Sequence, residues 1–452
     1  MSTTTLAPTT SSERIFALDT IRGFAVLGIL LMNILGMGLS MPAYLVPSAV
    51  LGGDTGWNLW AWMAEMFYFE GTMRGLFTIL FGAGVVLYTS RLERAGAGLR
   101  TADLYYRRNL WLIILGLFNG WVLLWMGDIL FFYGLTALFL FVFRNLPARK
   151  LLLCAALVMC IQPLGGAVRY FSFVAVQKDA PALLALESSK AHLTSEQEGQ
   201  LQLYHGWTGF IQPDAQTIAR ASEQMRASYS SAAARIRSKV AEGEATEFFA
   251  IAPGPSGLWE CAGMMLLGMA LFKSGALTLG WSTRAYAVML VAGYGIGLSV
   301  NAWEIHYVTA HHFEVAAVLV PWSLTYDLGR IPVTLGHVAL AMLLVRSGMF
   351  RGIVSRFAAA GQMALTNYLA QSAIALVLFT GLGFGWFNQL QRYQLYYVVF
   401  AIWAAELAWS PWWLRRFQFG PMEWLWRSLT RWELQPMRKA AAVVADSAAT
   451  PA

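Results

Sequence analysis

Three polar side chains on the first apolar segment have the types and spacing to do chemistry. Asp19 and Arg22 are three residues apart, and Asn33 follows Arg22 by eleven residues, close to three helical turns, so all three share one helix face. A charge at the bilayer centre costs about 2.5–3.5 kcal/mol, so this face must point into the protein. An intrahelical ion pair with a packing asparagine and a functional face fit this spacing equally well.

Arg22 carries a further requirement. Its guanidinium stays charged, Asp19 supplies one acceptor, and Asn33 is too far along the helix to supply another. We therefore expect a third partner for Arg22, either from another helix or from a ligand.

A second group of ionisable residues lies near the predicted outer ends of the apolar segments. Glu70 and Arg74 are four residues apart, the spacing of an ion pair on one helix. The other members of this group are Asp128, Glu260, Glu304, His306, His311, His312, Glu314, Asp327 and Arg330. An outward-facing polar cavity is the simplest arrangement that keeps them away from lipid.

Other polar residues leave two explanations open. His311 and Glu314 lack the HExxH spacing and an obvious third ligand, so we predict no metal site. His337 fits a proton carrier or, more commonly, a histidine hydrogen-bonded between helices. Asn367 and Gln371 share a face of the ninth apolar segment, where they either meet Asp19 and Arg22 or join helices.

Composition identifies the elements that must position these residues. The chain is 57% hydrophobic and only 13% charged, with a mean hydropathy of +0.52, which excludes an ordinary soluble enzyme and indicates an integral membrane protein. The formal charge of +7 comes from short basic clusters between apolar runs, so membrane topology explains it better than nucleic acid does. Three cysteines within apolar segments predict neither a disulfide framework nor a zinc site. ATP-binding, dinucleotide-binding and nucleophile-elbow motifs are missing from the sequence.

The sequence predicts an all-α polytopic protein with about ten membrane-spanning helices. Lys and Arg concentrate after every second apolar segment, which places both termini in the cytoplasm. The predicted spans are Ala17–Leu39, Gly71–Tyr88, Leu110–Trp125, Ile129–Phe143, Leu151–Val176, Gly257–Phe272, Arg284–Asn301, Arg330–Val345, Met363–Leu382 and Leu395–Leu414.

The spans divide the chain into five regions. Residues 1–13 form a disordered N-terminus, 14–177 a five-helix membrane half, 178–255 an extracytoplasmic helical cap, and 256–414 a second five-helix half. Residues 415–452 comprise a cytoplasmic interfacial helix, rich in Trp and Arg, and a disordered tail.

Five sequence blocks resemble the YeiB-like bacterial inner-membrane proteins, whose C-terminal half is a domain of unknown function. The first block is R-I-x-x-L-D-x-x-R-G, which runs on through an asparagine at Asn33. The others are LFTILFGAG at Leu76–Gly84, LWMGDIL at Leu124–Leu130, GQMALTNYLAQS at Gly361–Ser372 and FQFGPMEWLWRSLT at Phe417–Thr430. The resemblance implies the bacterial inner membrane and covers nearly the whole chain, with the cap matching least.

The front half of that family is similar to transmembrane acyltransferases such as heparan-alpha-glucosaminide N-acetyltransferase. The likeness rests on Asp19, Arg22, Gly23 and Asn33. It implies that the asparagine works beside a histidine in acetyl transfer from cytoplasmic acetyl-CoA. Here Ile34–Val50 contains no histidine, and Tyr44 is the only titratable substitute; Asn119 stands where many YeiB-like relatives have a second histidine. Such a transfer needs a general base.

Two functional hypotheses follow. The first is an acyltransferase that uses an acyl-CoA donor, with Arg22 at the donor phosphates, Asn33 and Asp19 at the reacting groups, and His306 or His312 as base. The second is a non-enzymatic binder or transporter of a lipid or other amphipathic molecule. Both include contact with membrane lipids and exclude nucleic acid. Helix faces with Gly71, Gly75, Gly263 and Gly268 also predict a homodimer. The predicted ligand-binding residues are Arg22, Glu70, Arg74, Asp128, Asp327, Arg330, Asn367 and Gln371.

The topology is testable by cysteine labelling in intact cells. In a background without the native cysteines, Arg220→Cys should react with a membrane-impermeant maleimide, because residue 220 belongs to the predicted outer cap. Arg351→Cys, on the predicted cytoplasmic side, is the matched control and should react only after permeabilisation. Labelling of Arg220→Cys only in permeabilised cells would contradict this topology.

Overall fold

The computed structural model describes residues 16–241 and 257–439, and these ranges form α-helices with short connections and no β-strand, apart from one isolated bridge between Phe417 and Arg438. The all-α prediction is confirmed. The first nine helices are α1 Phe16–Gly38, α2 Gly56–Tyr68, α3 Thr72–Arg94, α4 Arg100–Trp121, α5 Leu130–Leu140, α6 Ala148–Met159, α7 Ile161–Ser188, α8 Ser195–Ile211 and α9 Ala215–Ala227. The others are α10 Tyr229–Ala241, α11 Leu258–Lys273, α12 Thr283–Ala310, α13 Val315–Val320, α14 Tyr326–Ser347, α15 Arg351–Gln362, α16 Ala364–Phe379, α17 Arg392–Arg416 and α18 Pro421–Arg431.

The first helix is the centre of the bundle. Almost every residue of α1 is buried, and the helix contacts α3, α14, α15, α16 and α17. Its sequence is rich in Leu, Ile, Gly and Ala, and it is apolar on nearly every face, as expected of a helix enclosed by others. Burial of α1 therefore holds the polar groups of Asp19 and Asn33 inside the protein.

The apolar helices indicate a membrane protein. Five helical segments are long and apolar enough to cross a bilayer, or six if the bent pair of α15 and α16 counts as one span. Each of the ten predicted spans coincides with helix, but α5 and α11 are short, and α4 and α17 have charged residues in their end turns. The ten-span count therefore remains a prediction.

Two helices that the sequence analysis missed change the local architecture. The first two predicted spans leave residues 40–70 as a connection, and α2 occupies the second half of it. Residues assigned to the loop before Met363 form α15, which meets α16 at an angle of 80°. Both helices are shorter than the roughly 20 apolar residues that a membrane span needs, so a search for spans does not find them.

Glycines allow two pairs of helices to touch backbone to backbone. A Cβ at Gly23 on α1 would lie 1.8 Å from the Phe357 carbonyl oxygen on α15, and one at Gly361 would lie 1.9 Å from the Asp19 carbonyl oxygen. On α3 and α11, a Cβ at Gly82 would lie 2.0 Å from the Met265 oxygen, and one at Gly268 would lie 2.0 Å from the Ile79 oxygen. Only glycine, which has no Cβ, allows the backbones to come this close.

The glycines behind the homodimer prediction are used inside the chain. A Cβ at Gly71 would collide with Tyr326, one at Gly75 with Met264 and Thr334, and one at Gly263 with Met159. Gly268 makes the crossing with α3. These faces are therefore not open for self-association, and the homodimer remains a prediction without this support.

The cap is helical through residue 241 and is tied to one end of the bundle. The Gly381 amide donates to the Met225 carbonyl at 3.0 Å, and the Asn388 amide donates to the Ser222 hydroxyl at 2.8 Å. The remainder of the predicted cap lies outside the described residues, as do the predicted disordered termini and the first two residues of the Arg14 block. Helix α9 consequently covers the end of the bundle where α1 finishes.

The C-terminal helix begins later than predicted and docks on the bundle. Helix α17 continues to Arg416, beyond the predicted end of the tenth span at Leu414, and α18 starts at Pro421 within the predicted region 415–452. The Trp426 indole donates to the Arg108 carbonyl on α4 at 2.8 Å, and the Arg108 guanidinium lies 3.8 Å from the Trp426 ring centre. Contacts with α4 and α16 therefore position α18.

Because α3 and α11 cross so closely, adding one methyl group at the crossing should destabilise the protein strongly. Gly82→Ala should lower the free energy of unfolding by about 1–3 kcal/mol or more, because the new Cβ forces the two backbones apart. Gly84→Ala, two residues along α3, is the matched control, since its Cβ meets nothing within 4 Å. It should be neutral or stabilise by up to about 1 kcal/mol. Thermal unfolding in detergent, followed by tryptophan fluorescence, measures both, and equal melting temperatures would refute the close crossing.

Candidate functional site

Eleven titratable side chains from several helices converge in what we call the buried polar cluster. Charged side chains are rarely buried to this extent unless they are paired or functional. The cluster consists of Tyr44, Glu65, Glu70, Arg74, Glu260, Glu304, Tyr326, Asp327, Arg330, Arg392 and Tyr396.

Arg74 on α3 links three other helices. Its guanidinium pairs with Glu260 on α11 at 3.1 Å and donates to the Tyr326 hydroxyl on α14 at 2.7 Å. The Tyr326 hydroxyl in turn donates to a Glu70 oxygen at 2.9 Å. The predicted direct ion pair between Glu70 and Arg74 is therefore wrong: Glu260 takes the guanidinium, and Tyr326 joins the two residues.

An almost fully buried ion pair lies next to this link. Arg330 on α14 pairs with Glu304 on α12, and both side chains are 3% exposed or less. The Thr325 hydroxyl also donates to Glu304, and Thr325 ends a π-helical segment, Pro321–Thr325, that leads directly into α14. Such π-helical insertions often occur at functional sites, because they change which side chains face the interior.

Glu65 on α2 is the least satisfied member of the cluster. Neither of its buried carboxylate oxygens accepts a hydrogen bond from an N–H or hydroxyl group of the described residues, and the side chain instead faces the carboxyl group of Glu70 and the guanidinium of Arg392. The Arg392 guanidinium donates to the Ala43 carbonyl and also interacts with the Tyr396 hydroxyl and with Glu65. Orphaned buried charges are costly, which marks this part of the cluster as built for a ligand or a proton.

Tyr44 connects the cluster to α1. A Cβ at Gly36 would lie 3.0 Å from the Tyr44 hydroxyl, so this hydroxyl contacts α1 less than one turn beyond Asn33. Burial and the carboxylates of Glu70 and Glu65 raise the pKa of Tyr44, which makes it a hydrogen-bond donor and a poor base. The Asn33 side chain is buried, and its amide nitrogen has no partner among the described residues.

The predicted Asp19–Arg22 ion pair is present, with a nitrogen–oxygen distance of 2.9 Å. The Arg22 side chain is 32% exposed, so solvent can satisfy its remaining donors and the expected third partner is not required. Asn367 and Gln371 do not join this pair. Asn367 donates to Ser410 on α17 at 3.2 Å, and Gln371 donates to Glu406 on α17 at 3.1 Å, which agrees with their alternative role in joining helices.

Asp128 belongs to a separate buried group in the connection between α4 and α5. It accepts hydrogen bonds from the Asn119 amide at 2.8 Å, the Phe131 backbone at 2.8 Å and the Tyr368 hydroxyl at 3.3 Å. Burial raises the pKa of Asp128 to about 7, although these hydrogen bonds act in the opposite direction.

The structure separates the predicted histidines from Asn33. His306 and His312 are exposed near the end of α12, so neither stands as a base in the buried polar cluster. Both ring nitrogens of His337 are engaged, one by the Tyr294 hydroxyl at 2.7 Å and one by the Tyr68 carbonyl at 3.1 Å, which fits its structural interpretation. Within residues 16–241 and 257–439, no three His, Cys, Asp or Glu side chains are grouped to hold a metal ion.

Several members of the cluster were missed from the sequence. Glu65 and Tyr326 lie in apolar aromatic stretches, and Arg392 is an isolated charge just before the predicted tenth span. The signal for Glu65 was its spacing of five residues from Glu70 in a tryptophan-rich segment, where any carboxylate calls for a polar partner.

Comparisons with known proteins connect this chain to other bacterial sequences. Residues 271–433 match the family described as protein of unknown function (DUF418). The uncharacterized protein YeiB of Escherichia coli strain K12 is 32% identical over 426 residues, which span 92% of this chain and 96% of YeiB. The uncharacterized protein YxaH of Bacillus subtilis strain 168 is 28% identical, with 96% of this chain and 98% of YxaH covered. An uncharacterized 39.9 kDa protein of Bacillus acidopullulyticus is 25% identical over 94% of this chain and 95% of its own length. No solved structure matches the chain.

Breaking the buried Arg330–Glu304 ion pair should destabilise the protein far more than breaking an exposed ion pair. Glu304→Gln should lower the free energy of unfolding by about 3–5 kcal/mol, because it removes the carboxylate that forms the ion pair with the buried Arg330 guanidinium. The matched control is Asp103→Asn, which breaks the Asp103–Arg107 pair, whose side chains are 44% and 39% exposed. That change should cost about 0–1 kcal/mol. Chemical or thermal unfolding in detergent compares the two, and a smaller effect at Glu304 would contradict the buried pairing.

Proposed function

Since the chain belongs to the YeiB-like family of membrane proteins, we propose that it binds and carries a small amphipathic molecule, with the buried polar cluster as the binding site. The observation that carries this proposal is Glu65, a buried carboxyl group that faces the carboxyl group of Glu70 and whose two oxygens accept no hydrogen bond from an N–H or hydroxyl group of the described residues. A ligand that donates hydrogen bonds would satisfy both oxygens.

The charges of the cluster define the class of molecule. Five carboxylic acids face three arginines, so the cluster favours a cationic or hydrogen-bond-donating headgroup. The surrounding helices are apolar and offer a suitable environment for a hydrocarbon portion. An amphipathic amine has both properties.

The alternative hypothesis of acyl transfer has one observation in its favour, which is Asn33. Its buried amide nitrogen has no partner among the described residues, and the Tyr44 hydroxyl contacts the same helix at Gly36, three residues farther along. An acyl-CoA donor would approach from the end that bears Asp19 and Arg22. His306 and His312 are exposed, so acyl transfer would require a rearrangement to bring a base to Asn33.

The topology that accompanies the proposal is the one inferred from the sequence. Ten spans, both termini in the cytoplasm of a bacterium and the cap outside its inner membrane agree with the alternating basic loops. In this arrangement the buried polar cluster lies towards the outer side, beneath the cap, and membrane lipids surround the bundle. Self-association as a homodimer is compatible with this arrangement.

Mass spectrometry of molecules that copurify with the full chain tests the proposal. The wild type should retain an intact amphipathic amine. The amount retained by Glu65→Gln should be lower by a factor of about ten or more, because a charge-assisted hydrogen bond is worth about 1.5–3 kcal/mol. Glu314→Gln, which changes an exposed glutamate, is the matched control and should behave as the wild type.

Two results would contradict this expectation. Equal retention by the wild type and Glu65→Gln would remove Glu65 from the site. A bound thioester or acylated product that disappears in Asn33→Ala, but persists in Glu65→Gln, would favour acyl transfer over carriage.

A further inference from the structure

A second buried carboxylate lies far from the cluster, in the middle of α17. Glu406 is fully buried, ten residues from Arg416 and fourteen from Arg392, or about 15 and 21 Å along the helix axis. The neutral surroundings of Glu406 distinguish it from the paired carboxylates of the buried polar cluster. It is therefore a separate feature of the bundle.

The helices packed around Glu406 bring no charge to it. The charged residues on those helices are Asp19, Arg22, Glu65, Arg351 and Arg356. Arg22 pairs with Asp19, and Arg356 donates to the Leu407 carbonyl at 3.1 Å. Within the described chain, the side chain that interacts with Glu406 is the uncharged amide of Gln371.

The geometry of Gln371 suits a neutral acid. Its amide nitrogen lies 3.1 and 3.2 Å from the two Glu406 oxygens and 3.2 Å from the Val26 carbonyl of α1. Its amide oxygen is buried without a partner in the described chain. A protonated carboxyl group has one O–H donor, and a primary amide can accept that hydrogen while returning an N–H. A proton on Glu406 would give this buried pair the donor that the Gln371 oxygen lacks.

We propose that Glu406 and Gln371 form a proton-binding site at the centre of the bundle, where Glu406 is a neutral acid at neutral pH. An ionised carboxylate without a countercharge in this apolar interior would carry a large desolvation cost. The ligand of this site is the proton, and its acceptor is one oxygen of the Glu406 carboxylate.

A polar strip leads from this site towards the end of the bundle where α15 and α18 lie. One turn along the same two helices, the Asn367 amide donates to the Ser410 hydroxyl at 3.2 Å and to the Ala360 carbonyl of α15 at 3.2 Å. The Trp409 indole donates to the Asn367 oxygen at 2.8 Å. One residue before Asn367, the Thr366 hydroxyl binds Glu423 of α18 at 2.5 Å. Polar side chains therefore lie one helical turn from the Glu406–Gln371 pair, on the side of the bundle where α15 and α18 lie.

Infrared spectroscopy of the full-length protein in lipid at neutral pH tests the proposal. A protonated carboxyl group has a C=O stretching band apart from those of carboxylates, and the band moves to lower frequency in deuterium oxide. Subtracting the Glu406→Gln spectrum from that of the wild type should reveal one such band. Glu314→Gln, at an exposed glutamate, should leave it in place. Gln371→Met should keep the band but shift its frequency, because the acid loses its amide partner.

Glu406→Gln should fold normally, since glutamine resembles the neutral acid, and its melting temperature should stay within about 2–4 °C of the wild type. A difference spectrum without the band would overturn the proposal, and so would a band that disappears when sodium ions are added, which would indicate a cation site. If Glu406→Gln fails to fold, the frequency shift in Gln371→Met decides, and an unshifted band overturns the proposal.

This inference does not depend on the proposed carrier function. The Glu406 band is expected whether or not an amphipathic amine copurifies. Equal ligand retention by the wild type and Glu65→Gln would refute the carrier site and leave the proton-binding site unaffected.

Discussion

Close contact between helix backbones is the constraint on which the other features of this structure depend. Gly82 and Gly268 let α3 and α11 touch, and Arg74 and Glu260 each lie eight residues before the glycine of their own helix. The crossing therefore brings this guanidinium and this carboxylate to the same level, about two turns away. A lipid environment supplies no hydrophobic force between helices, so tight packing of small residues must hold such bundles together.

Tight packing also explains why the polar groups are arranged as networks rather than isolated pairs. Arg74 serves both Glu260 and Tyr326, and Tyr326 passes the interaction on to Glu70. Each link satisfies a donor or an acceptor that would otherwise be costly in a dry interior. Two buried carboxyl groups have no arginine in direct contact within the described chain: Glu65, which faces Glu70, and Glu406, which has a single amide partner. The two features differ in chemistry: one has an excess of charge around it, and the other has none.

Periodicity and hydropathy were sufficient to predict the helices but not the partners of their side chains. Ten apolar runs mark ten helical segments, and the spacing of Asp19 and Arg22 predicts their ion pair, since both depend on local sequence. The pairing of Arg74 with Glu260 joins residues 186 positions apart, so local spacing favoured the wrong partner, Glu70. Helices α2 and α15 are stabilised by tertiary contacts and are shorter than a bilayer span, so a search for long apolar runs passes over them. His306 lies in the last turns of α12 and is exposed there, and its exposure depends on tertiary packing rather than on local spacing.

The central position of α1 has a consequence for the order of assembly during synthesis. Helix α1 leaves the ribosome first, yet its partners α15, α16 and α17 are among the last helices to be made, and Gln371 reaches the Val26 carbonyl from 345 residues away. At about 5–20 residues per second, roughly tens of seconds pass before these partners emerge. During that interval the polar face of α1, with Asp19 and Asn33, has no native surroundings in the bilayer. The nascent chain therefore depends on the insertion machinery, on lipid headgroups or on the early native contact with α3 to shelter α1 until α15, α16 and α17 have been made.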